Sequence, residues 1–97
     1  MTAIDARHLD ELRERIDAVD REIVRLLGER SGYVQQVVRF KRTAEDARAP
    51  ARVEQVIARV RSHADETGVD PDLVERIYRL MIDWFIEEEL KQLPPQR

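Results

Sequence analysis

The stretch LDELRERIDAVDREIVRLL, residues 9–27, decides the fold. Its apolar residues Leu9, Leu12, Ile16, Val19, Ile23, Leu26 and Leu27 step by three or four, as one face of a helix must. Val34 and Val37 continue the same face, and no proline interrupts it. The stripe predicts one helix from about residue 5 to about residue 42. Gly28 and Gly32 weaken it by roughly 1 kcal/mol each relative to alanine, yet the phase holds across both. Continued by the same steps, the stripe lands on Arg30 and then on Lys41. A cation on an apolar face is costly unless something anionic meets it. The bland reading is that both side chains snorkel from the edge of a buried face. The sharper one is a pocket for a small acid.

The rest of the chain reads as two more helices. Residues 43–49 lose the apolar period and read as a loop. Pro50 fits a first helical position, and Val53, Val56, Ile57 and Val60 give a second helix, about 50–66, a short apolar face. Gly68 suits its C-terminal cap. Asp70-Pro71 opens a third helix, about 71–93, with Leu73, Val74, Ile77, Met81, Trp84, Phe85 and Leu90 along it. Pro94-Pro95 is its stop, and Gln96-Arg97 a frayed tail. No strand candidate and no internal repeat is found. The expectation is an all-α single domain over residues 1–97, built of three helices: long, short and medium.

Composition narrows the function. The 97 residues are 42% hydrophobic and 38% charged, with a net charge of −3. That balance, with an isoelectric point near 5.4, argues against nucleic acid, whose phosphates call for a basic surface. Residues 1–15 hold no apolar run and no stretch approaches a membrane span, so a cytoplasmic protein with no membrane partner is expected. The absence of cysteine removes disulfides, thiol nucleophiles and thiolate metal sites. His8 and His63 have no partner at ligand spacing, so no metal is expected. Ser31 and Ser62 carry no nucleophile signature, and the three glycines form no phosphate loop. Any activity must come from charge and shape, without a cofactor.

Length bears on assembly. A helix over 5–41 is roughly 55 Å long at about 1.5 Å per residue, whereas a compact chain of this size spans only about 35 Å. The first helix is therefore expected to overhang a single-chain globule and to need a second chain on its apolar stripe, most simply in a two-fold dimer. Arg13 and Arg30 lie about 25 Å apart along such a helix, too far to grip one small molecule. Arg30 and Lys41 are about 16 Å apart, within reach of a clasp by two long side chains. An antiparallel partner helix would bring its own Arg13 beside Arg30, building one site from two chains.

The segments Leu12-Arg13-Glu14-Arg15-Ile16-Asp17, Leu26-Leu27-Gly28-Glu29-Arg30 and Val38-Arg39-Phe40-Lys41 resemble the signature of the all-helical chorismate mutases. Arg52-Val53, Gly68-Val69-Asp70-Pro71 and Ile82-Asp83-Trp84-Phe85-Ile86 are similar too, so the resemblance covers roughly residues 8–93. It implies an intertwined helical homodimer with shared active sites and a dicarboxylate substrate, rearranged from chorismate to prephenate by a concerted [3,3] shift. Carried over, Arg13 reaches across the dimer to one substrate carboxylate, Arg30 forms a bidentate fork with the other, and Lys41 donates to the ether oxygen. Such a reaction needs no nucleophile; it needs a held conformer and cations where charge develops. Aromatic amino acid biosynthesis is the pathway usual for the family.

The chain also departs from the pattern. Glu89 stands where a glutamine is usual as second donor to the ether oxygen, and Phe85 where a serine is common. Glu89 continues the inner face through Ile82 and Phe85, although it also belongs to the acidic run Glu87-Glu88-Glu89. The Trp84-Phe85 pair looks like the related isochorismate-pyruvate lyases, which release pyruvate and salicylate, and is compatible with 4-amino-4-deoxychorismate mutases; for Trp84 core packing is the simpler role. Val37, one turn before Lys41, is the larger residue usual in true mutases. Arg52-Val53 stands where Arg-Glu is expected. The non-enzyme alternative is a catalytically silent helical dimerisation or regulatory module.

Overall fold

The computed structural model describes residues 2–93, and the expected Pro94-Pro95 stop and Gln96-Arg97 tail lie outside them. Every regular element among the described residues is a helix: α1 (Ala3–Val38), α2 (Ala44–Arg48), α3 (Pro50–Thr67) and α4 (Pro71–Gln92). They divide into two compact units, Met1–Arg39 and Phe40–Arg97, and each is described by itself.

The first unit is α1. Thr2 caps its start: the Thr2 hydroxyl accepts from the Asp5 amide while the Asp5 carboxylate accepts from the Thr2 amide, a closed capping box. At about 1.5 Å per residue its 36 residues run roughly 54 Å. Arg25 forms local ion pairs along it, meeting Glu22 one turn back and Glu29 one turn on. None of its residues is buried.

Two sequence expectations are corrected here. The first helix ends at Val38 and not near residue 42, and the expected loop 43–49 contains α2. One competition explains both. Continuing α1 would send the Arg42 and Thr43 amides back to carbonyls four residues earlier. Both donate instead to Asp46 Oδ2, at 3.0 and 3.2 Å. The Thr43 hydroxyl accepts from the Asp46 amide at 3.0 Å, so Thr43 and Asp46 form a second capping box and start a new helix. Lys41, expected on the long helix, therefore sits in the non-helical segment between α1 and α2.

The second unit is an antiparallel hairpin of α3 and α4 with α2 against α4. Ala49 ends α2 and caps α3 at φ 38°, ψ 58°, and Pro50 follows as the first helical residue. Gly68, at φ 76°, ends α3; its amide and that of Val69 both turn back to the Ala64 carbonyl. Asp70 then caps α4 by accepting from the Asp72 amide at 2.9 Å, with Pro71 behind it. The core is small: Ile57, Val60 and Ala64 from α3, Ile82 from α4, and Ala47, buried to 1% exposure, from α2.

An ionic ladder ties the hairpin along its flank. Arg79 meets Glu54 and Glu75, and Arg61 meets Glu75 and Asp72. Glu54 and Glu75 together hold the Arg79 guanidinium well above its ordinary range. These are solvent-facing pairs, and their worth lies in the shared Glu75 and in fixing the register of the two helices.

Candidate active site

One buried charge stands out in the second unit. Glu89 is 4% exposed, yet it follows Glu87 and Glu88 in an acidic run. Helical geometry explains the exception. Glu89 lies two turns beyond Ile82, on the stripe that α4 turns to its neighbours, whereas Glu88 is turned outward enough to pair with Lys91 at 2.9 Å.

The partner of Glu89 is Lys41, whose Nζ donates to Glu89 Oε2 at 2.7 Å. The side chains are 17% and 6% exposed. Such a pair is poor evidence for stability, because removing two charges from water costs about as much as their attraction returns. A buried carboxylate and a partly buried ammonium, brought together across 48 positions of sequence, read more naturally as functional groups. An ammonium with little water around it is a strong donor to any oxygen on which negative charge develops.

Asp46 sits at the other end of Lys41. The amide of Arg42, then that of Thr43, hold its carboxyl below the ordinary aspartate range, and the charge of Lys41 adds to the effect. Neither Asp46 nor α2 was anticipated as part of the site. The signal was present in the spacing Thr43-x-x-Asp46, the same capping-box pattern that starts α1 at Thr2-x-x-Asp5.

Phe85 is half-buried on α4, one turn before Glu89. Trp84 meets it edge-on, with ring centres 5.0 Å apart and planes at 85°. Trp84 itself is 56% exposed, so core packing within the unit does not account for it. Arg52 donates to Gln55 at 2.7 Å on the surface of α3. The remaining expected site residues, Arg13, Arg30 and Val37, belong to α1 in the first unit. Along that helix Arg13 and Arg30 stand about 25 Å apart. The structure thus brings Lys41 and Glu89 together and separates Arg13 from Arg30.

A helical chain with this buried pair defines a class. Residues 12–90 match the family chorismate mutase type II, and the chain belongs to it. Among its relatives is the isochorismate pyruvate lyase of Pseudomonas aeruginosa, 37% identical over 90 residues, which are 93% of this chain and 89% of the relative.

Proposed function

We propose that this protein breaks the enolpyruvyl ether bond of isochorismate in one concerted step, giving pyruvate and salicylate. The Lys41–Glu89 pair carries the reading, since it places a partly buried ammonium beside a buried carboxyl group in a family that acts on such ethers. The near full-length similarity to a lyase and the Trp84–Phe85 pair favour isochorismate. In the proposed step the ether carbon–oxygen bond breaks while a ring hydrogen passes to the terminal methylene carbon of the enolpyruvyl group. The ring becomes aromatic, and no cofactor is required.

Lys41 donates to the ether oxygen as charge grows there. Glu89 serves as a second donor in its protonated form; ionised, it only accepts and opposes the developing charge. Arg30 holds one substrate carboxylate in a planar fork, while Phe85 and Val37 shape the ring's surroundings. Arg13 grips the other carboxylate from a second copy of the chain. The 25 Å (roughly, from the helical rise) between Arg13 and Arg30 supports this homodimer. So does the row Leu12, Ile16, Val19, Ile23, Leu26 and Leu27, left exposed on α1.

A second reading, chorismate to prephenate, is favoured by the family match and by Val37. The same ether bond breaks, but a carbon–carbon bond forms. Assaying isochorismate, chorismate and 4-amino-4-deoxychorismate side by side tests the choice. Salicylate formation with the highest kcat/KM on isochorismate is expected. Prephenate as the dominant product would establish the mutase instead, and no turnover of any of the three would return the chain to a silent dimerisation module.

A further inference from the structure

We propose that Asp46 is a positioning residue for Lys41, acting through the backbone and without touching substrate. The inference rests on the reading of Lys41 as the donor to the ether oxygen. Because α1 stops at Val38, Lys41 lies outside regular helix. Its anchors lie on either side. At the tip, Nζ is held by Glu89. At the root, the next two amides of the chain, those of Arg42 and Thr43, both donate to one oxygen, Asp46 Oδ2.

Asp46 is itself immobilised. Its amide is bound by the Thr43 hydroxyl, and the Ala47 amide bonds the Thr43 carbonyl at 3.1 Å. Ala47, the next residue, is the most deeply buried of the core residues, and α2 lies against α4, the helix that carries Glu89. The clamp therefore refers the root of Lys41 to the same helix that holds its tip. A long side chain fixed at one end only would sweep several ångströms. Misplacement of a reacting group by about 1 Å costs on the order of a hundredfold in rate.

Because a single oxygen accepts both bonds, the clamp needs an acceptor at that point and not a negative charge. Asparagine can supply it through its carbonyl oxygen; alanine cannot. Asp46→Ala should lower kcat roughly ten- to a hundredfold with KM little changed, and Asp46→Asn should recover most of that loss. In a Lys41→Met background Asp46→Ala should cost nothing further, because it acts only through Lys41.

A readout independent of turnover comes from the lysines, of which the chain has two, Lys41 and Lys91. Lys91 is open to solvent and serves as the internal control. In protein carrying ¹³C-lysine, the two ε-protons of a held Lys41 should resolve as separate signals. In Asp46→Ala they should merge, with Lys91 unchanged and the far-ultraviolet dichroism preserved. Unchanged Lys41 signals in Asp46→Ala would overturn the proposal, as would an Asn variant as impaired as the Ala variant, or an equal loss in the Lys41→Met background. If wild type turns over none of the three substrates while the Lys41 signals still merge in Asp46→Ala, the proposed function falls and the clamp stands.

Discussion

The two units use charge in different ways. On α1 Arg25 pairs with neighbours on its own helix, Glu22 and Glu29. The hairpin unit has local pairs too, such as Glu88 with Lys91, but others connect different elements: Arg79 with Glu54, Arg61 with Asp72 and Glu75, and Lys41 with Glu89. The first kind supports a helix and says nothing about its surroundings. The second kind requires the fold to be present. The same division runs through the apolar residues, for the hairpin encloses Ile57 and Ile82 while α1 encloses none of its own. A unit that satisfies itself and a unit that offers a bare apolar row respond differently to the same change, and that difference can be tested.

The largest expected effect separates rate from affinity. Lys41→Ala in the hairpin unit should reduce kcat by a factor on the order of a hundred to a thousand. Arg30→Lys on α1 should act mainly on KM, because a point charge cannot reproduce the planar fork. Steady-state kinetics on the preferred substrate decides, and a kcat loss below tenfold for Lys41→Ala would remove it from the chemistry.

Mixing breaks the comparison in another way. Arg13→Ala and Arg30→Ala chains, each inactive, should regain close to a quarter of wild-type activity after co-refolding, from heterodimers with one intact site. Failure to recover any activity would count against a site shared between copies. Glu89→Gln addresses the buried pair itself. The amide keeps the shape and supplies a permanent hydrogen-bond donor, so Glu89→Gln should hold or raise kcat, whereas Glu89→Ala should lower it. An equal loss in both variants, measured by steady-state kinetics, would leave Lys41 as sole donor.

Among stability effects, one substitution made in both units is the most telling. Ile57→Ala should lower the unfolding free energy by about 2–5 kcal/mol, as expected for a buried isoleucine, read from urea melts. Ile16→Ala, on the bare row of α1, should instead make the melting midpoint more dependent on protein concentration. Equal, concentration-independent losses would erase the distinction. The smallest contrast concerns surface pairs. Arg79→Ala, which unlinks two helices, should shift the midpoint more than Glu22→Ala, which unlinks one turn, and added salt should narrow the gap.

Some of this was legible in residue order and some was not. Pro50, Gly68 and Asp70-Pro71 mark the ends of α3 and α4 because each acts through its own backbone preferences, which need no neighbours. Burial of Glu89 was legible because it keeps phase with Ile82. The end of α1 was not, since the apolar stripe continues to Lys41 without a break in phase. What stops the helix is a carboxylate several residues ahead that captures two amides, and periodicity is blind to that. For the same reason α2, five residues long, is too short to show a period; only its capping box betrays it. An aromatic on a helical stripe is the ordinary sign of a core, so the sequence points Trp84 toward packing, whereas within its own unit it is 56% exposed.

One residue, Ala49, serves both as the C-cap of α2 and as the N-cap of α3, in a left-handed conformation that alanine seldom adopts. There is consequently no slack at this junction. Exposed connections usually absorb insertions without harm, but here an added residue joining α3 would turn the preceding chain by about 100° around the helix axis and swing Ala47 off α4. The segment from Lys41 to Pro50 behaves as a fixed length of chain, more tolerant of a change in letters than of a change in count.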